Sequence, residues 1–128
     1  MKMAVDTNIL IRLLTGDIPE LVKKAKGLIN KCDKHDIFIS YGVITETYFS
    51  LKYHYKFKEE TALNAVEDIL KIKQFNIEQK TAVQLAVNKA RSGYGFFDAL
   101  IGEIGAVKNL KTYTFDKGLK DNSAFVVI

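Results

Sequence analysis

The apolar pattern predicts an α/β domain, three layers deep, with helices on both faces of a mostly parallel, about five-stranded sheet. Three observations lead there. Short apolar runs suited to strands alternate with segments of ten or more residues that carry helical periodicity, and crossovers that long join parallel neighbours. The 128 residues, 48% of them hydrophobic, suffice for one core and are few for two, so residues 1–128 are expected to form a single domain. One proline and no Ser, Gly or Gln tract leave no linker or repeat at which to divide the chain.

In order, Met3 to Val5 reads as the first strand, and Ile9, Leu10, Leu13 and Leu14 recur at helical spacing until Gly16 ends that helix. Asp17 as a cap and Pro19 in the first turn open a second helix, which runs to about Cys32 with Leu21, Val22, Ala25, Leu28 and Ile29 on one face. Ile37 to Ile39 is the second strand. Helices are expected from Val43 to about Tyr55 and from Glu59 to Lys71, with Phe75 to Ile77 as the third strand between the latter and a helix from Glu78 to Arg91. Gly93 and Gly95 break that helix. Phe96 to Lys108 follows as a helix of small residues (Ala99, Gly102, Gly105, Ala106) suited to close packing, and Lys111 to Thr114 and Ala124 to Val127 complete the strands.

The single cysteine, Cys32, excludes an intramolecular disulfide and a cysteine-built zinc site, and suits a reducing compartment. Neither a signal-like apolar run after Met1 nor 18 consecutive uncharged residues occurs, so a soluble, cytoplasmic protein with no membrane partner is expected. Nineteen Lys and Arg against fifteen Asp and Glu give a net charge of +4, a mild basic bias that permits a polyanionic partner.

Most of the acids read as solvated charges in turns or helix starts. Four are set in apolar sequence: Asp6 in AVDTNIL, Glu46 in VITETYF, Asp98 in GFFDALIG and Asp116 in TYTFDKG. Asp6 and Asp116 follow strands, while Glu46 and Asp98 fall in the opening turns of helices. In parallel sheets ligand sites lie beyond the carboxyl ends of the strands, so the four are expected near one edge. Buried and ionised, each would cost several kcal/mol, a large share of a total stability of about 5 to 15 kcal/mol. Arg12, Lys52 and Lys117 are too few and too scattered to pair with all four. A shared hard cation is the economical alternative, and with only His35 and His54 as imidazoles, Mg²⁺ or Mn²⁺ suits the donors better than Zn²⁺.

With these residues in view, the sequence resembles the PIN domain, and specifically the VapC-type toxins of prokaryotic toxin–antitoxin pairs. The likeness spans essentially the whole chain: Asp6-Thr7-Asn8 after the first strand, Glu46 in the helix after the second, Asp98 opening FFDALIGEIGA, and Asp116 after the fourth strand with Thr114 two residues ahead. The resemblance implies a Mg²⁺- or Mn²⁺-dependent endoribonuclease that hydrolyses RNA phosphodiester bonds, held in check by a cognate VapB-like antitoxin and forming homodimers. On that reading Asp6 and Asp98 bind the principal metal. Glu46 completes its shell or orients the attacking water, and Asp116 is a direct or water-mediated ligand. Thr7, Asn8 and Thr114 hold carboxylates or water in place, or serve as ordinary capping and turn residues.

Two further features bear on partners. Lys52 to Lys58 interleaves basic and aromatic residues, so that Lys52 and Lys56 are candidate RNA contacts, as is Arg12; the alternative is aromatics turned inward with solvated lysines outside. Lys23, Lys24, Lys26, Lys31 and Lys34 read as the exposed face of the second helix. Two other functions remain open: an RNA-processing nuclease outside any toxin–antitoxin pair, and a catalytically silent PIN-like binding module. An aspartyl-phosphatase reading is disfavoured, because Asn8 stands where that chemistry usually wants a second acid.

Overall fold

The computed structural model describes residues 1–128, which form two compact units, Met1–Glu78 and Gln79–Ile128. The first unit contains β1 (Met3–Ala4), α1 (Thr7–Thr15), α2 (Pro19–Asn30), β2 (Ile37–Ile39), α3 (Tyr41–Phe49), α4 (Glu59–Leu70) and β3 (Phe75–Ile77). Its three strands pair in the order β1-β2-β3, all parallel, with Met3 opposite Ile37 and Ile37 opposite Phe75. Alternation along the strands buries Ile37, Ile39, Phe75 and Ile77 and leaves Phe38 and Asn76 exposed. Against that apolar face the helices contribute Leu10, Ile44, Leu51, Leu63 and Val66 to the core.

Local chemistry sets the ends of these elements. Asp6 caps α1, its Oδ1 accepting from the Asn8 N–H at 3.0 Å, and Gly16 ends the helix in the left-handed region (φ 64°) with its N–H bonded to the Arg12 carbonyl. Pro19 opens α2 as expected, but Asp17 does not cap it; Ile18 stands at that position without a side-chain bond, and Asp17 turns back toward Arg12. Helix α3 begins at Ser40, whose hydroxyl accepts from the Val43 N–H, and stops as an α-helix at Phe49. Where α-helix is expected to about Tyr55, the chain passes into a π-helical turn, Ser50–His54, in which the Tyr55 N–H reaches the Ser50 carbonyl at 2.9 Å.

The second unit contains α5 (Lys80–Arg91), α6 (Phe96–Val107), β4 (Thr112–Thr114) and β5 (Phe125–Val127). Helices α5 and α6 pack as a hairpin through Ala82, Val83, Ala86, Val87 and Ala90 on one side and Ala99, Leu100 and Gly102 on the other. The small residues of α6 have a clear reason. A Cβ on Gly102 would stand 2.5 Å from the Phe125 ring, and one on Gly105 would stand 2.8 Å from the Thr112 hydroxyl, so α6 lies against β4 and β5 only because both positions are glycine. The fifth helix starts at Lys80 rather than Glu78, because Gln79 adopts a left-handed conformation (φ 58°).

All five expected strands are present and every pairing is parallel, which bears out the α/β class. The ladders differ from the single sheet of about five strands: β1-β2-β3 form one, and β4 and β5 pair with each other in a second. The strands are two or three residues long, below the roughly five or six usual in globular proteins.

Candidate active site

Each unit carries two of the four acids. In the first, Asp6 lies just past the carboxyl end of β1 at the start of α1, and Glu46 lies on α3, which packs beside α1. Thr7, next to Asp6, is buried, and its hydroxyl has no hydrogen-bond partner. Asn8 contributes through its backbone, whose N–H aligns one oxygen of Asp6. In the second unit Asp98 occupies the first turn of α6, where free backbone N–H groups favour negative charge. Asp116 caps a 3₁₀ turn, Lys117–Leu119, its Oδ1 accepting from the Gly118 N–H at 2.8 Å. The Thr114 hydroxyl accepts from the Asp116 N–H at 3.0 Å, so that Thr114 holds the turn that presents the carboxylate.

The burial expected of the four acids is not found. Asp6, Glu46, Asp98 and Asp116 are all exposed, so the desolvation cost that would force them to share a cation does not arise. Apolar neighbours in sequence belong to the other faces of the same helices and turns. None of the four pairs with a Lys or Arg, however, so their charges stay free for a ligand. Within neither unit do three His, Cys, Asp or Glu side chains gather into a group that could hold a metal ion. The donor set is nevertheless hard oxygen throughout, with an unsatisfied buried hydroxyl beside Asp6, and these atoms suit Mg²⁺ or Mn²⁺.

The cations have more definite partners. Arg12 Nη1 donates to both oxygens of Asp17 (2.8 and 3.0 Å) and lies 3.3 Å from the Tyr55 hydroxyl, which itself donates to Asp17. The Thr15 hydroxyl, 2.9 Å away, is the main cause of a depressed Asp17 pKa, with Arg12 and Tyr55 adding to it. Lys52 pairs with Glu59, and the buried Tyr48 hydroxyl donates to the same carboxylate at 2.6 Å. Burial, then Glu59, pushes the Tyr48 hydroxyl pKa up, while the hydrogen bond to Glu59 raises that of Lys52. Of the three candidate RNA contacts, Arg12 and Lys52 are thus held by carboxylates of the chain, and Lys56 is exposed at a left-handed position (φ 61°).

Three further acids have structural roles. Glu59 anchors the Tyr48–Lys52 cluster. Glu78, directly after β3, accepts from the Tyr41 N–H at 3.0 Å and so steadies the start of α3; its place after the strand is the signal that could have found it. Glu103 is the one buried carboxylate, 7% exposed, with Lys89 Nζ 3.8 Å away and Asn122 Oδ1 3.2 Å from the same ammonium. The criterion that selects Asp98, an acid among apolar residues, selects Glu103 in LIGEIGA equally well.

Parallel strands and intervening helices, with Asp6 and Asp116 just after strands and Asp98 in a first helical turn, define an α/β protein; Glu46, the sixth residue of α3, lies past the opening turn expected for it because the helix starts at Tyr41. The chain belongs to the PIN domain family, whose model matches residues 3–124. Among solved structures it is similar to the VapBC2 complex of Rickettsia felis bound to a DNA fragment from its promoter, at 17% identity and TM-score 0.42, covering 100% of this chain and 98% of that one. It is also similar to VapC20 of Mycobacterium tuberculosis, a toxin that cleaves the sarcin-ricin loop, at 19% identity and TM-score 0.44, covering 99% and 98%. A toxin–antitoxin complex from Klebsiella pneumoniae is similar at 21% identity and TM-score 0.38, covering 99% and 97%. No curated protein matches the chain in sequence. Family membership therefore rests on the sequence match. No helix is long and apolar enough to cross a membrane.

Proposed function

We propose that the chain is a Mg²⁺- or Mn²⁺-dependent endoribonuclease, the VapC-type toxin of a toxin–antitoxin pair acting in the cytoplasm. The observation that carries this reading is a PIN family match over residues 3–124 combined with four carboxylates in the family's order, each exposed and none neutralised by a cation of the chain. Asp6 and Asp98 are the principal metal ligands, with Glu46 completing the shell or orienting water and Asp116 binding directly or through water. When bound, a hard divalent ion supplies fixed positive charge to the phosphodiester and acidifies a water molecule. The chain's part is to aim oxygens: the Asn8 N–H fixes one oxygen of Asp6, and the Thr114–Asp116–Gly118 turn fixes the carboxylate of Asp116. Thr7 offers its unpartnered hydroxyl next to Asp6 in the sequence.

The antitoxin that the family implies needs an apolar seat, and a groove of about 450 Å³ between α1 and α2, lined by Ile9, Leu21, Ala25 and Leu28, is of the right character. Purified protein is expected to cleave RNA with Mg²⁺ or Mn²⁺ and to lose that activity with EDTA and in Asp6→Asn and Asp98→Asn. Equal behaviour of all three proteins with metal would sink the nuclease reading. A small DNA-binding protein encoded next to this gene, able to block the cleavage when co-purified, separates the toxin from an RNA-processing nuclease.

A further inference from the structure

The outer face of α2 carries cations that the proposed chemistry leaves unused. This helix buries Ala25 and Ile29, and at 3.6 residues per turn Gly27 falls diametrically opposite them. Lys23 and Lys31 stand one turn before and one turn after Gly27 on that outward strip, and Lys24 and Lys26 flank it. All four lysines are exposed and none has an ion-pair partner, unlike Arg12 and Lys52. A Cβ on Gly27 would meet nothing within 4 Å, so no crowding from the protein demands glycine there, although glycine weakens the middle of a helix. On the two sides of Gly27 the surface dips into shallow depressions of about 610 and 590 Å³, both lined by Lys23 and Gly27. The result is a saddle, low at the glycine and basic along its rims.

We propose that this saddle is a docking track for the sugar–phosphate backbone of RNA, an inference that rests on the nuclease reading above. The eight residue steps from Lys23 to Lys31 span about 12 Å at a rise of about 1.5 Å each. Four cations over that length make a continuous positive strip that successive phosphates of one RNA strand can meet. Glu20 is the one acid lining either depression. A protein partner would want a large aromatic or aliphatic anchor at the centre of its contact, and the centre of this strip is Gly27; the apolar residues that line the depressions, Pro19 and Val22 in one and Leu28 in the other, flank it. Glycine at the low point lets a backbone approach the helix closely.

The test is binding of a short, unstructured, fluorescently labelled RNA to the full chain in EDTA, followed by anisotropy through a salt titration. Each phosphate contact contributes about 0.7 to the slope of log affinity against log salt on single strands, so a Lys23→Gln/Lys31→Gln variant is expected to lower that slope by about 1.4. Gly27→Leu is expected to weaken binding several-fold while leaving the thermal midpoint unchanged or raised. An unchanged slope in the double variant overturns the track, as does failure of the unaltered protein to bind RNA. Poly-glutamate that binds more tightly than RNA, and is lost in the double variant, overturns it in favour of an acidic protein partner. Cleavage assayed in parallel with Mg²⁺ keeps the two ideas apart. Cleavage with an unaltered slope removes only the track, whereas a lowered slope without any cleavage removes only the nuclease.

Discussion

Two regions of the first unit are equally rich in charge and use it in opposite ways. Around the π-helical turn, Arg12, Asp17 and Tyr55 satisfy one another, and Lys52, Glu59 and Tyr48 form a second closed group. On the outer face of α2, Lys23, Lys24, Lys26 and Lys31 have no ion-pair partners, and the same is true of Asp6 and Glu46. The net charge of +4 hides this division. Charges that close on one another hold the fold, and charges left open are the ones a ligand can meet. Removing a member of the first kind should be felt in stability, and removing one of the second kind in binding or catalysis.

The largest effect is expected where open carboxylates are removed. Asp98→Asn and Asp6→Asn should each lower metal-dependent RNA cleavage by more than about 100-fold, beyond the 10- to 100-fold usual for a residue that merely orients a ligand. Their thermal midpoints should stay close to that of the parent, since both side chains are exposed. A large drop in midpoint would place them with the closed charges and break the distinction.

Next comes Tyr48→Phe, which removes a donor from Glu59 in a part-buried cluster while keeping the ring. Hydrogen bonds to charged groups are worth about 1.5 to 3 kcal/mol, so chemical denaturation should show a loss of that order with cleavage retained. Full stability in Tyr48→Phe would mean that Lys52 and Glu59 suffice without the hydroxyl.

Gly27→Ala should act in the opposite direction. The site has room for a Cβ in a regular helix, and the substitution should raise stability by up to about 1 kcal/mol. A loss of stability would show that α2 is not free on its outer side.

The smallest effect is a pH dependence. The pKa of Asp17 is depressed in the folded chain, below its ordinary value of 3.8, chiefly by the Thr15 hydroxyl. Its contribution is therefore complete above about pH 4 and is lost as pH falls through the lower folded value. In Asp17→Asn the acid limb of a stability–pH curve should be shallower, and an identical limb would show that the Arg12–Asp17–Tyr55 group does not couple to folding.

Much of the architecture is legible in sequence because it is set by local periodicity. Ile37 to Ile39 and Phe75 to Ile77 are strands at the residues expected, and α2, α4 and α6 keep their limits to within two residues. The π-helical turn after Phe49 was not legible, since no residue in Ser50–His54 forbids an α-helix. For the site, the positions of Asp6 and Asp116 after strands follow from sequence, whereas their exposure does not. Apolar neighbours in sequence suggested burial, yet a helix or turn sends adjacent side chains in different directions. Glu103 is the counterexample, buried because α6 turns it toward Lys89.

By itself the sequence determined the class of fold, the family, the order of the acids and the basic face of α2, all of which depend on residues near one another along the chain. Only the tertiary structure decided which charges are spent. Arg12 meets Tyr55 across 43 residues and Lys89 meets Asn122 across 33, and contacts of that range leave no local pattern. An ion pair lives or dies on a few ångströms of approach, so the free and the committed cations of this chain could be told apart only once its helices were packed.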